Sequence, residues 1–491
     1  MTDLATFVAA APGSLVLPSG ERRASVDVPE PLRLLDSADL GSGRHVALVE
    51  DAGGGRWTVP LVAEEHGVRR ALPGDGVAET IVRAMVESTR RRTAARRDAP
   101  DPGASQSRTL TGQEPGPSAL EAVEAVSAFR IDGWHDEPAP LGERGISVDQ
   151  TNESVVVGSR AMVKWAVRLP AAGVRGAQPA GERLGALMAA DFAETPRPWG
   201  LLRWVDPEHG SSPLLLASVT SYLEGAEDGW DWAVADVNAA SIRSGWSEGP
   251  ETGLSPLQKG LDAALEGPKR IGALTARMHV ALAASGVRRA TADDVERWES
   301  EARDELAEAL RVVDGEEGER LKARADRIAS AYGSFRHHVG TPLIDVHGDY
   351  HVGQILRTPS EDPTPRFAYA VTDFDGNPVS PPERRSEPQP AALDAVGMLA
   401  SLDHVGRVVL KRTDGADPTI VLTWIAAAQE AFRSEYVDTL ARMRHAHLYD
   451  EALAVPLRLQ QEVREFLYAA QHLPHWRYVP DGALQDLLPD V

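Results

Sequence analysis

The chain contains no cysteine, which excludes disulfides, thiolate zinc sites and cysteine nucleophiles together. Cations are also in deficit: 51 lysines and arginines face 73 aspartates and glutamates, a formal charge of −22. Such a balance repels polyphosphate backbones and anionic lipid, so neither nucleic acid nor a membrane is an expected partner. No uninterrupted apolar run reaches the roughly eighteen residues of a membrane-spanning helix. The opening MTDLATFVAAAPGSLVLPSG carries an early aspartate and lacks the cationic start of a secretory leader, so the expected location is the cytoplasm. What is present is an ordinary globular mixture, 42% apolar and 25% charged over 491 residues. At roughly 100–200 residues per domain that is enough for several domains.

Short apolar runs and turn signals alternate through residues 1–95. Gly53, Gly54 and Gly55 between HVALV and WTVPLV predict a hairpin, and AETIVRAMVESTRRR predicts a helix with Ile81, Met85 and Val86 on one face. These residues are expected to form a small α+β cap domain. Residues 96–118 are rich in Pro, Gly, Ser, Arg and Asp, a composition that buries little surface, and are expected to be a linker or long loop. From 119 to about 222 strand patterns return. Val155, Val156 and Val157 precede a Gly158-Ser159 turn and a second strand with Val163, Trp165 and Val167 on one face and Met162 and Lys164 on the other. A helix is predicted from about Glu182 to Ala193, then two more strands, GLLRWV and PLLLASVTSYL. From 223 to 491 helices dominate, as in IGALTARMHVALAA with apolar residues at 271, 274, 278 and 282. Strands first and helices later predict an α+β lobe followed by a mostly helical one.

The chemistry concentrates in LIDVHGDYHVGQILRTPSEDPTPRFAYAVTDFDGN, residues 343–377. Two apolar runs each end in a cluster of His, Asp and Gly, placing Asp349 and Asp373 after predicted strands. Phosphoryl transfer needs one carboxylate for the attacking hydroxyl and oxygen ligands for Mg2+; Asp349, Gln354 and Asp373 meet those needs. Turn formation before glycine is the plainer use of either aspartate taken alone.

Taken together, HGDYHVGQ and TDFDGNP resemble the paired motifs of protein-kinase-like small-molecule kinases, specifically the bacterial maltokinase group and the related glucosamine kinases. The resemblance implies a bilobal α+β fold with ATP and Mg2+ between the lobes, Asp349 as base, and Gln354 with Asp373 as metal ligands. SVDQTNESVVVGSRAMVKWAVRL resembles the group's glycine-poor phosphate loop, which implies nucleotide contacts from Thr151, Asn152 and Ser154, and from Lys164 paired with Glu182. LLLASVTSYLEGAEDGWDW resembles the connector, with Ser221, Tyr222 and Leu223 facing adenine. Trp230 and Trp232 there are read as core anchors. PPERRSEPQPAALDAVGMLASLDHVG resembles the group's following helix, with Asp394 in a structural task, capping or pairing with an arginine.

The tail QEVREFLYAAQHLPHWRYVP resembles the maltokinase ending but departs from it. Ala469, His472 and Leu473 stand where that pattern has glutamate, asparagine and arginine, while Tyr468, Pro474 and Trp476 remain. Lost sugar-binding polar groups cost discrimination, which disfavours maltose. An amino sugar with a cationic ammonium suits the acids available, Asp403, Glu462 or Glu465, with His351 and Trp476 also on the acceptor side. The expected reaction is ATP-dependent phosphorylation of glucosamine to its 6-phosphate. Maltose to maltose 1-phosphate, an aminoglycoside acceptor and a non-catalytic nucleotide-binding role are the alternatives.

Overall fold

The structure is a computed structural model that describes residues 4–18, 27–98, 128–146, 153–171, 174, 176–207, 213–242, 256–360 and 366–489. It divides into two compact units. The first comprises Met1–Gly181, Pro196–Glu224 and Pro381–Arg384; the second comprises Glu182–Thr195, Gly225–Ser380 and Arg385–Val491.

The first unit carries two antiparallel sheets. One runs Arg33–Gly41, Arg44–Glu50, Arg56–Glu64, Gly67–Arg70, and its third strand also pairs with Arg168–Leu169. The predicted glycine hairpin forms because Asp51 Oδ1 accepts the N–H groups of Gly53 and Gly55, each at 2.9 Å, while Oδ2 accepts Trp57 Nε1–H at 2.8 Å. That aspartate side chain substitutes for ladder bonds that the turn cannot make. The other sheet orders its strands as Phe129–Gly133, Pro198–Trp204, Leu214–Ser221, Ala161–Trp165, Glu153–Val157 and Glu143–Gly145. Val163 and Trp165 are buried and Lys164 is partly exposed, as strand alternation requires. The helix Val77–Asp98 extends through the first residues of the expected linker; most of that linker lies outside the described residues. Ile81, Val82 and Met85 of this helix join both sheets in one apolar core that runs from Val8 to Val219. An early block and a later strand block therefore share a single interior.

The second unit is helical, with a small hairpin set into it. In the helix Pro256–Ala283, Ile271, Leu274, Met278 and Leu282 are all fully buried, one stripe at three-to-four spacing. The charged helix Ala292–Val312 buries a narrower stripe, Val295, Trp298, Ala302, Leu306 and Ala309. Thr291 caps it reciprocally with Asp294, satisfying two backbone donors. The helix predicted from Glu182 occupies Ala180–Ala189, because Phe192 to Thr195 turn away to lie beside the hairpin strand Phe367–Val371. The site is positioned by that hairpin, Ile355–Pro359 with Phe367–Val371, and by the helices Ala392–Arg412 and Glu451–His472. Among the described residues no helix is long and apolar enough to cross a membrane.

Candidate active site

The segment after the strand Pro342–Ile344 turns at Gly348, whose φ of +83° an L side chain rarely adopts. This turn delivers Asp349. The loop cannot make ladder bonds, so a side chain replaces them. Asp394, 1% exposed, accepts His347 N–H at 2.7 Å on Oδ2 and Gly348 N–H at 2.9 Å on Oδ1. Oδ2 also takes the Nε2–H of His279 at 3.1 Å, and His279 Nδ1 lies 2.8 Å from the Tyr436 hydroxyl. The expected capping of its helix or pairing with an arginine is not what Asp394 does: it holds the backbone before Asp349. Burial opposes its charge, but the His279 bond and the other donors outweigh that and hold its carboxyl below the usual range.

His347 ties this loop to the next one. Its Nε2–H donates to the Thr372 carbonyl at 2.8 Å, and its Nδ1 accepts Asp349 N–H at 3.3 Å. Burial pushes the His347 imidazole down, consistent with that neutral tautomer. Asp373 follows Thr372 with φ +64°, a left-handed conformation that few non-glycine residues occupy and that clusters at functional sites. Thr372 N–H donates to the Gln354 carbonyl at 2.9 Å, so the hairpin puts Gln354 beside the residue preceding Asp373. Burial raises the Asp349 carboxyl; His351 and His347 pull it back, and Asp373 pushes it up again. The hairpin thus brings Gln354 to the residue before Asp373, and the His347 ring ties that residue to the loop of Asp349.

No group of three or more His, Asp or Glu side chains among the described residues could hold a metal alone. Mg2+ does not ask for one: it keeps waters and takes one or two carboxylates together with substrate phosphates. A carboxylate from Asp373 and an amide oxygen from Gln354 are hard oxygen donors of that kind, and they fit.

The expected nucleotide residues of the first unit are partly described. Thr151 and Asn152 lie outside the described residues. Ser154 and Lys164 stand opposite each other in the register of neighbouring strands. The N–H groups of Ser221 and Tyr222 donate to the carbonyls of Arg197 and Arg160, each at 2.8 Å, so both donors are committed within this unit. Leu223 follows them, partly buried. In the second unit Glu182 is exposed in the first turn of its helix.

A cavity of about 390 Å³ opens over Asp349. Its walls include His351, Ser401, His404, Gln461, Arg464, Glu465, Trp230 and Trp476. Of the three acids offered for an ammonium, only Glu465 lines it. Asp403 is 3% exposed and taken by Arg407, with Nε to Oδ2 at 2.6 Å and Nη2 to Oδ1 at 3.1 Å. Glu462 is fully buried against Arg458 at 2.6 Å, with His404 Nε2 at 3.6 Å. Glu465 accepts only a neutral partner in the cavity wall, Gln461 Nε2–H at 3.1 Å, and burial raises its carboxyl. The cation lining the cavity, Arg464, is neutralised by Glu305 through bonds of 2.9 and 3.0 Å. Burial works against charge on His404, yet Glu462 and Glu465 together hold its imidazole above the ordinary value.

Trp476 lines the cavity with its ring 6.0 Å from that of Trp230. Trp232 is the core anchor expected, 3% exposed and donating to the Ile355 carbonyl at 3.0 Å. Trp230, read the same way from sequence, faces the cavity instead. Two tryptophans two positions apart on a helix lie about 200° apart around its axis, a signal that separates their roles.

No family model matches the chain. It is 52% identical over 486 residues to a glucosamine kinase from Streptacidiphilus jiangxiensis, covering 99% of this chain and 98% of that one. A glucosamine kinase from Mycolicibacterium smegmatis is 37% identical over 458 residues, covering 93% and 98%. The chain belongs to the glucosamine kinases. Its fold agrees: a solved glucosamine kinase in complex with glucosamine, ADP and inorganic phosphate has 48% sequence identity and a TM-score of 0.78 over 99% of each chain. A second crystal form gives 0.80. The α+β class and the kinase resemblance drawn from the sequence hold for this family member.

Proposed function

We propose that this glucosamine kinase transfers the γ-phosphoryl group of ATP to the 6-hydroxyl of glucosamine. The observation that carries the reading is the cavity itself: Asp349 lines it, and Glu465 is the one of the three acids offered for an ammonium that lines it and has no arginine partner among the described residues. The full-length relation to a glucosamine kinase complexed with glucosamine, ADP and phosphate supports the same acceptor. Asp349 takes the hydroxyl proton as the sugar oxygen forms its bond to the γ-phosphorus and the bond to the β–γ bridging oxygen breaks, leaving ADP. Burial has raised its proton affinity, which suits a group that must accept a proton near neutral pH. Lys164 supplies positive charge to the phosphates. Asp373 and Gln354 would hold Mg2+, which would supply positive charge to the triphosphate. Glu465 meets the substrate ammonium, and Trp476 with Trp230 offers apolar faces to the sugar ring.

ADP release with MgATP, measured across glucosamine, N-acetylglucosamine, glucose, maltose and kanamycin, tests this reading. Glucosamine should dominate and give a 6-phosphate by phosphorus NMR. Nucleotide binding without acceptor-dependent ADP, or a preference for maltose, would refute it.

A further inference from the structure

Arg183 is fully buried, and its guanidinium makes four hydrogen bonds to three separate segments. Nε–H donates to Asp345 Oδ1 at 2.8 Å. Nη1 reaches the carbonyls of His347 at 2.8 Å and Phe374 at 3.0 Å, and Nη2 reaches that of Arg385 at 2.8 Å. His347 lies two residues before Asp349, and Phe374 lies one after Asp373. A Cβ placed on Gly348 would sit 3.8 Å from both terminal nitrogens and 3.5 Å from the Gly376 Cα, so the fork lies directly beneath both turns.

We propose that Arg183 is a positioning residue that sets the spacing between the loop carrying Asp349 and the loop carrying Asp373. This rests on the roles given above to those two aspartates. A buried cation is costly unless its donors are filled, and apolar replacements of buried ion pairs are often no less stable. The return on this one is geometric. A planar fork holds two carbonyls at a fixed separation, which a lysine ammonium on a flexible stem cannot do. Its three carbonyl acceptors are backbone atoms, so the bonds constrain main-chain path. The His347 ring bridges the same two loops from another direction, through Asp349 N–H and the Thr372 carbonyl. Two independent braces leave the loops little freedom to separate.

The test is Arg183→Lys, with Asp345→Asn as a second variant that keeps the guanidinium and its three carbonyl contacts. For Arg183→Lys, kcat should fall by about a hundredfold, the loss expected from a displacement near 1 Å. KM for glucosamine should stay within about threefold, since the acceptor walls are untouched. Titration calorimetry with ADP at a series of Mg2+ concentrations should show that about tenfold more Mg2+ is needed to reach the same ADP affinity. Asp345→Asn should shift the Mg2+ series in the same direction by less. A folded Arg183→Lys with the wild-type Mg2+ series and kcat overturns the proposal. Should that variant not fold, an unchanged Mg2+ series in Asp345→Asn overturns it instead. Wild-type turnover of glucosamine in the same assay tests the underlying reading separately, because the Mg2+ dependence of ADP affinity needs no acceptor.

Discussion

Replacing Asp394 with asparagine is the sharpest perturbation of the loop that carries Asp349. The two side chains have the same shape, but one carboxylate oxygen becomes an NH2 group. Oδ2 receives two donors, His347 N–H and His279 Nε2–H, and Oδ1 receives Gly348 N–H. In the better orientation the new NH2 faces Gly348 N–H, so one buried donor is orphaned; in the other, two are. Losing a charge-assisted bond costs about 1.5–3 kcal/mol, and leaving a buried donor unmet costs about 1–3 more. Relief of the carboxylate's own desolvation would offset this, but that carboxyl is held below its ordinary value, so its ionised form is favoured on balance. A net loss of about 3–5 kcal/mol follows, or roughly 6–10 °C in the melting of a unit this size. Turnover should fall by about a hundredfold through displacement of Asp349. The sign with pH is definite. A depressed carboxylate contributes stability above its unfolded value near 4 and loses it as pH falls through the folded one, so the wild type should weaken in acid where the variant has no such limb. Scanning calorimetry from pH 7 downward, with ADP release alongside, reads both effects. Melting within about 2 °C of wild type and undiminished turnover would refute the role given to Asp394.

Asp349→Asn should lower turnover by about 10²- to 10⁴-fold with ATP affinity unchanged by calorimetry, as for loss of a general base. Glu465→Gln should raise KM for glucosamine about tenfold, equivalent to ~1.4 kcal/mol. Burial raises the Glu465 carboxyl, so as pH falls through that raised value the wild-type site loses its negative charge and KM climbs; the glutamine variant should lack that rise in steady-state assays across pH. Gly229 opens the helix Gly229–Ile242, and a Cβ there would overlap the Val352 carbonyl and lie 2.7 Å from that of Ile355, so Gly229→Ala must push this helix off the start of the hairpin. A loss of at least about 3 kcal/mol is expected, read as lowered melting with ADP binding retained only below the new midpoint.

The parts of the site legible in the sequence are those built locally. Asp349, Gln354 and Asp373 fall beside short apolar runs within one 35-residue stretch, so the motif that suggests the roles proposed for them can be read before any tertiary contact is known. Arg183 and Asp394 are different. Arg183 reaches partners 162 to 202 residues away, and Asp394 meets His347 across 47 and His279 across 115. Nothing in a window of ordinary length marks them. What could be expected of Asp394 was a helix-terminal or arginine-paired acid, since both are local uses. Its actual partners are backbone donors of a loop that only the fold brings near.

Between these extremes lies a signal that was present and simple. Asp403 has Arg407 four residues later on one helix, and Glu462 has Arg458 four residues earlier on another. Side chains at that spacing meet, so each acid had an arginine to consume it before any substrate arrived. Glu465 has Gln461 at the same spacing, a neutral amide rather than an arginine. Helical arithmetic alone therefore separates the one acid that faces the cavity from the two that do not. The same reasoning sets a condition on any amine-binding carboxylate in a helix-lined pocket of this kind. It must lack a basic residue at three or four positions on either side, or the ammonium competes with a partner already in place at far higher effective concentration.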